Sequence, residues 1–172
     1  MSSLKKVALW ILFFLAIVVA IIACIFQVRY GNKDSMPCVF CDIVNKTRDA
    51  DMLYMDEDFI AFKDIKPATS NHFLIIPKRH IANTNSLTIA DKDMIVKMKL
   101  IMLELLKKHN QTIENEISLG FHVPPFNSIK HLHLHGISPK SEMKLIGRWI
   151  FKEDSYWYKS VDTIIASLIE NS

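Results

Sequence analysis

The run His131-Leu132-His133-Leu134-His135 sets three imidazoles at every second position. In an extended chain alternate side chains point to opposite faces, so the histidines line one face and Leu132, Leu134 and Ile137 the other. The leucine face reads as core. The histidine face does not, because adjacent imidazoles bury poorly and repel one another when protonated. An imidazole titrates near neutrality and serves as nucleophile, general acid–base or metal ligand. The row therefore reads as a catalytic row, with a histidine-only metal site and a polar surface that happens to be histidine as alternatives. A second pattern is Cys38-Val39-Phe40-Cys41, whose spacing lets two thiolates grip one tetrahedral ion. No second pair of that spacing follows. Two ordinary cysteines, or one disulfide in an oxidising compartment, stand beside the metal reading.

Residues around the row carry a resemblance. Asn127-Ser128 just before it, Phe62-Lys63-Asp64-Ile65-Lys66-Pro67, and His72-Phe73-Leu74-Ile75-Ile76-Pro77-Lys78-Arg79-His80-Ile81 resemble the motifs of the histidine-triad (HIT) family of nucleotide hydrolases and transferases. The likeness covers about residues 37 to 140. Gly120-Phe121-His122-Val123-Pro124-Pro125-Phe126 and Ser155-Tyr156-Trp157-Tyr158 are similar to that family's adenosine 5′-monophosphoramidases. The resemblance implies a HIT-like antiparallel sheet with a long helix, commonly paired into a homodimer. It also implies hydrolysis of purine nucleoside 5′-phosphoramidates to AMP and an amine.

Carried onto this chain, the resemblance makes His133 the nucleophile and His135 a binder of phosphate oxygens. Ser128 would reach the leaving-group nitrogen, and His72 would orient the nucleophile. Asp64 would take the ribose hydroxyls, while Ile65, Phe40, Ile43 and Phe62 would wall the base; for Phe40, Ile43 and Phe62 a plain core role competes. Asn127 and Leu134 complete the nucleotide-contacting set. The resemblance also completes a zinc site, adding His80 and His131 to Cys38 and Cys41. Four protein ligands leave no open position for water, so such an ion is structural, and catalysis needs no cofactor. Two departures stand out. Gly136 replaces a bulky apolar residue and suggests a bulge or a close approach to phosphate. His122 and Pro124-Pro125 replace an asparagine and a glycine-rich loop, which opens the question of the leaving group. A dinucleoside polyphosphate hydrolase or nucleotidyl transferase, and a nucleotide-binding scaffold with little turnover, are the competing functions.

The elements that must position these residues follow from pattern. Pro37 to about Asn45 reads as a short helix, and Phe59-Ile60-Ala61-Phe62 and Phe73-Leu74-Ile75-Ile76 as strands of a hairpin. Thr88 with Asp91 resembles a capping box, after which Met94, Ile95, Met98, Ile101, Met102, Leu105 and Leu106 keep helical spacing. Ile117 to Val123 and His131 to Ile137 read as further strands. Val161, Ile164, Ile165, Leu168 and Ile169 define a C-terminal amphipathic helix. This order predicts an α+β domain on an antiparallel sheet over residues 37–172.

The composition bounds the rest. The 172 residues are 50% hydrophobic, with a mean hydropathy of +0.17, and the excess lies at one end. Val7 to Phe26 is apolar throughout, and as a helix at about 1.5 Å per residue it is about 30 Å long, a bilayer's hydrocarbon thickness. The expectation is a tail over 1–6, a single-pass transmembrane anchor over 7–28 and a linker over 29–36, with a cleaved signal peptide as the alternative. Zinc thiolates and a nucleotide substrate would place the catalytic domain in the cytosol. Only Lys5 and Lys6 of the 21 basic residues precede the run, and all 18 acidic ones follow it. The remainder is nearly neutral, which disfavours nucleic-acid binding through bulk charge.

Overall fold

The computed structural model describes residues 10, 13, 15–21, 38–109 and 113–170. The chain divides into two units, Met1–Pro37 and Cys38–Ser172. In the first unit the described residues, Trp10, Phe13 and 15–21, are helical. The expected transmembrane anchor does not stand: among the described residues no helix is long and apolar enough to cross a membrane. The fold class, membrane partner and membrane localisation are corrected accordingly. The tail over 1–6 and the linker over 29–36 lie outside the described residues.

In the second unit six strands form one sheet: β1 (Met52–Met55), β2 (Phe59–Lys63), β3 (Asn71–Pro77), β4 (Ser118–His122), β5 (Leu134–Ser138) and β6 (Tyr158–Ser160). Their spatial order is β1-β2-β3-β5-β4-β6, and every neighbouring pair is antiparallel. The α+β expectation holds in this unit. Among the described residues four α-helices accompany the sheet: α1 (Val39–Val44), α2 (Lys92–Lys108), α3 (Leu145–Ile150) and α4 (Val161–Glu170).

Strand alternation splits the sheet into two different faces. On one face Phe59, Ala61, Phe73, Ile75, Leu119, Phe121 and Leu134 pack with Ile95, Met98, Met102, Leu105 and Leu106 of α2 and Val161, Ile164 and Leu168 of α4. Each such side chain is worth about 1.5–3 kcal/mol of burial. The capping box forms as the spacing predicts, Thr88 with Asp91, but it closes a 3-10 turn (Ile89–Asp91) and α2 proper begins at Lys92. Gly136 also belongs to this face. A Cβ there would run into the Met102 side chain, and the ladder passes through Gly136 in register on both sides. Gly136 thus makes room for the helix, and the expectation of a bulge or phosphate approach is corrected.

On the other face α1 places Phe40 and Ile43 over Ile60, Phe62, Leu74 and Ile76. The rest of that face carries the histidines. The strand expected over His131 to Ile137 begins only at Leu134. The Leu132 N–H donates to the Ile81 carbonyl at 2.7 Å instead of joining the ladder. Even so, the alternation persists, since Leu132 and Leu134 both lie in the α2-side cluster. Three elements escape sequence reading: β1, α3 and β6. Met52, Met55, Leu145, Ile146 and Trp149 are exposed, so these short elements lack the alternation of buried and exposed residues that reveals longer ones.

Candidate active site

His72, His131, His133 and His135 are all buried, each at most 7% exposed. Burial opposes charge on an imidazole. His72 and His133 are pushed down to about 4 by desolvation, and desolvation drives His135 well below its ordinary range. All are neutral at pH 7, so each ring has one N–H and one lone pair, and the hydrogen bonds decide which nitrogen bears which.

His133 Nδ1 lies 2.6 Å from the His131 carbonyl. A carbonyl only accepts, so Nδ1 bears the proton and Nε2 keeps its lone pair. His72 Nδ1 accepts from the Ala68 N–H at 3.1 Å, which leaves the proton on His72 Nε2. That N–H donates to His135 Nδ1 at 2.9 Å, with Asp64 Oδ2 also near at 3.5 Å. His135 must then carry its own proton on Nε2, and this buried atom has no hydrogen-bond partner among the described residues. An unpaired buried donor costs about 1–3 kcal/mol and marks a place where an acceptor fits. The site thus offers a nucleophilic lone pair at His133 Nε2 beside an N–H donor at His135 Nε2, the two rings 5.0 Å apart.

His131 turns to a different task. Its Nε2–H donates to the Pro77 carbonyl at 2.8 Å, so Nδ1 presents a lone pair to Cys38 Sγ at 3.4 Å and Cys41 Sγ at 3.5 Å. His80 Nδ1 stands 3.1 Å from Cys41 Sγ. The ligand atoms of Cys38, Cys41, His80 and His131 all lie within 4.8 Å of one another and form a possible metal-binding site. The donor set fits a soft divalent cation: two thiols, two imidazoles, and an outer hydrogen bond that fixes one ring's tautomer. Burial, followed by the Cys38 neighbour, pushes the Cys41 thiol up to about 11. A cation would reverse that. Asp64, His72 and His135 also converge, but they fit a metal poorly. The Ala68 N–H occupies His72 Nδ1, so Nε2, the nitrogen facing the cluster, is protonated and has no lone pair for an ion.

Other residues expected at the site divide into those near the nucleophile and those apart from it. Phe40 lies edge-on to His133 at 5.2 Å and to Phe62 at 5.5 Å, and Ile43 shares that cluster. Asp64 holds the Lys66 N–H on Oδ1 at 2.7 Å and leans towards His72 with the other oxygen. Ser128 lies exposed in the turn before β5, and Asn127 Nδ2 donates to the Ile129 carbonyl at 3.4 Å. Ile65 is 93% exposed and stands clear of the apolar wall. Leu134 is fully buried against α2 on the opposite face, so its side chain points away from the histidines.

Sequence reasoning named His122 within a family motif and as a departure, without giving it a role, and did not notice Phe151. The His122 ring sits 5.2 Å from His135 and from Tyr158. Phe151 packs against His72, His122 and His135 at 5.2–5.3 Å. Gly120 makes this possible, because a Cβ there would lie 2.6 Å from the Tyr158 ring and 2.5 Å from the Lys159 carbonyl oxygen. The signal available in sequence was the alternation of Gly120 and His122 along β4.

Residues 37–150 match the family model described as scavenger mRNA decapping enzyme C-term binding. An adenosine 5′-monophosphoramidase of Xenopus tropicalis is 39% identical over 142 residues, covering 82% of this chain and 93% of that protein. A bifunctional adenosine 5′-phosphosulfate phosphorylase/adenylylsulfatase of Arabidopsis thaliana is 46% identical over 101 residues, 57% of this chain and 67% of that protein. Among solved structures, a HIT family hydrolase from Legionella pneumophila superposes with a TM-score of 0.56 at 30% identity, covering 59% of this chain and 91% of that one. With the paired imidazoles and the sheet that carries them, these likenesses establish that the chain belongs to the histidine-triad family.

Proposed function

We propose that the protein is a hydrolase that cleaves the P–N bond of adenosine 5′-phosphoramidates, giving AMP and an amine through a nucleotidyl-His133 intermediate. The observation that carries this reading is the His133 tautomer: the His131 carbonyl holds Nδ1–H and leaves Nε2 as an uncharged nucleophile. Nε2 attacks phosphorus, the P–N bond breaks, and its electron pair goes to the amine nitrogen. Ser128 relays a proton from water to that nitrogen. Water then attacks the phosphorus, returns the imidazole and gives its proton to solvent. One hard displacement becomes two easier ones. His135 Nε2–H donates to a non-bridging phosphoryl oxygen as charge builds there, and His72 holds His135 in the tautomer that can do so. Phe40, Ile43 and Phe62 lie beside the base, and Asp64 accepts from the ribose. The Arabidopsis relative's name points to a sulfate leaving group, for which the first half-reaction is the same.

Cys38, Cys41, His80 and His131 would hold a zinc ion in a structural role, and as its ligands they would tie α1 to the segment leading into β5 and so fix the approach of His133. The resemblance further implies a homodimer, which sedimentation of the purified protein checks. AMP release from an adenosine 5′-phosphoramidate tests the function. Wild-type protein should turn over, and His133→Ala should lose at least about a thousandfold in kcat/KM. Turnover that survives in His133→Ala would remove the assignment.

A further inference from the structure

His122 is the one imidazole of the cluster to which the mechanism above gives no task. It stands at the end of β4, paired in register with Tyr158 of β6. The β4–β5 register sets Gly120 against His135, and His122 lies two residues further along β4, beyond the last pair of that ladder. Alternation keeps His122 on the histidine face, edge-on to His135. Its Nδ1 lies 3.1 Å from the Trp157 carbonyl, which can only accept. His122 therefore bears its proton on Nδ1 and a lone pair on Nε2, and that lone pair has no protein hydrogen-bond partner among the described residues. It is less buried than its neighbours.

The histidine face thus carries two unpaired nitrogens on rings 5.2 Å apart, the His135 Nε2–H donor and the His122 Nε2 lone pair. A phosphate ester or anhydride has acceptors at both its non-bridging and its bridging oxygens, so an acceptor from the protein meets nothing complementary. A phosphoramidate of a primary amine differs in one atom. Its bridging nitrogen carries a hydrogen. We propose that His122 Nε2 accepts the N–H of the scissile P–NH–R group, making His122 the residue that selects nitrogen with a hydrogen over bridging oxygen or fully substituted nitrogen. The inference rests on the proposed phosphoramidase reading and names its substrate class: amidates of ammonia and primary amines. His122 takes no proton. It turns the nitrogen so that the nitrogen lone pair points to the Ser128 side, where the proton arrives as the P–N bond breaks.

Two substrates and three proteins decide the matter. An adenosine 5′-(N-alkyl)phosphoramidate retains the N–H, and its N,N-dialkyl counterpart does not. Wild-type protein should prefer the former. The ratio of the two kcat/KM values should fall about tenfold in His122→Phe, the scale of one neutral hydrogen bond. His122→Gln, whose amide oxygen can accept the same hydrogen, should regain most of the ratio. A ratio unchanged in His122→Phe overturns the proposal. So does a wild-type ratio near one, which needs no variant to fold. If wild-type protein cleaves neither amidate, the phosphoramidase reading itself fails, an outcome separate from equal cleavage of both.

Discussion

Along β5 and the residues before it, Leu132, Leu134 and Gly136 meet α2 while His133 and His135 meet the other face; Ile137, expected with the leucines, shares the parity of the histidines and lies outside the α2-side cluster. Neighbouring residues of one segment thus live in two environments. On the α2 face the interactions are apolar and nearly interchangeable, and burial area decides the energy. On the histidine face the imidazoles of His72, His122, His131, His133 and His135 are oriented by hydrogen bonds to a main-chain carbonyl or amide or to another imidazole. Removing a methylene from the first face weakens the fold; moving a proton on the second changes the chemistry. The lesson is that tautomers, rather than the count of imidazoles, separate the tasks of His131, His133 and His135.

The sharpest way to break this comparison is to substitute adjacent residues. His133→Ala should lose turnover by at least about a thousandfold while shifting the urea midpoint little. Leu134→Ala, one residue away, should destabilise by about 2–5 kcal/mol and leave kcat/KM of the folded fraction within a few fold. Comparable losses of both stability and turnover in both variants would erase the distinction between the faces. A third substitution probes the end of the row that faces the cysteines. Cys41→Ser should lose bound zinc, read by elemental analysis against a wild-type ratio near one per chain, and should lower the melting temperature. Wild-type protein that holds no zinc would count against the structural ion.

A smaller effect comes from pH. His72 is held at about 4 in the folded protein and His135 is held well below its ordinary value, against about 6.5 when unfolded. Between those limits the unfolded chain binds more protons, so folding weakens as pH falls below about 6.5 and is insensitive to these groups above it. The loss is on the order of 1 kcal/mol per group for each pH unit. Urea melts at pH 7 and pH 5 measure it, and equal stability at the two values would contradict neutral buried rings.

The two faces were not equally legible. The α2 face could be read from periodicity: the Ile95 to Leu106 stripe and the two leucines of the row fall where spacing puts them. The histidine face was legible as a set of residues, because His72, His133 and His135 do converge, but their division of labour was not. It depends on the Pro77 and His131 carbonyls and the Ala68 amide, which no side-chain pattern encodes. Leu134 and Ile65 were assigned to the nucleotide through family motifs, yet alternation turns Leu134 to the core and a loop leaves Ile65 in solvent. β6 and Phe151 went unseen because three strand residues and a six-residue helix are too short to show a period. The apolar run at the start matched the length of a membrane span, but among the described residues no helix is long and apolar enough to cross a membrane.

The central claim is that His133 Nε2 becomes bonded to phosphorus. Mixing the protein with an adenosine 5′-phosphoramidate, quenching within one turnover and mapping the digest by mass spectrometry tests it directly. The account predicts one AMP on the peptide bearing His133, sited on that imidazole and absent from His133→Ala. AMP carried by another residue, or rapid turnover with no covalent species at any quench time, would contradict it.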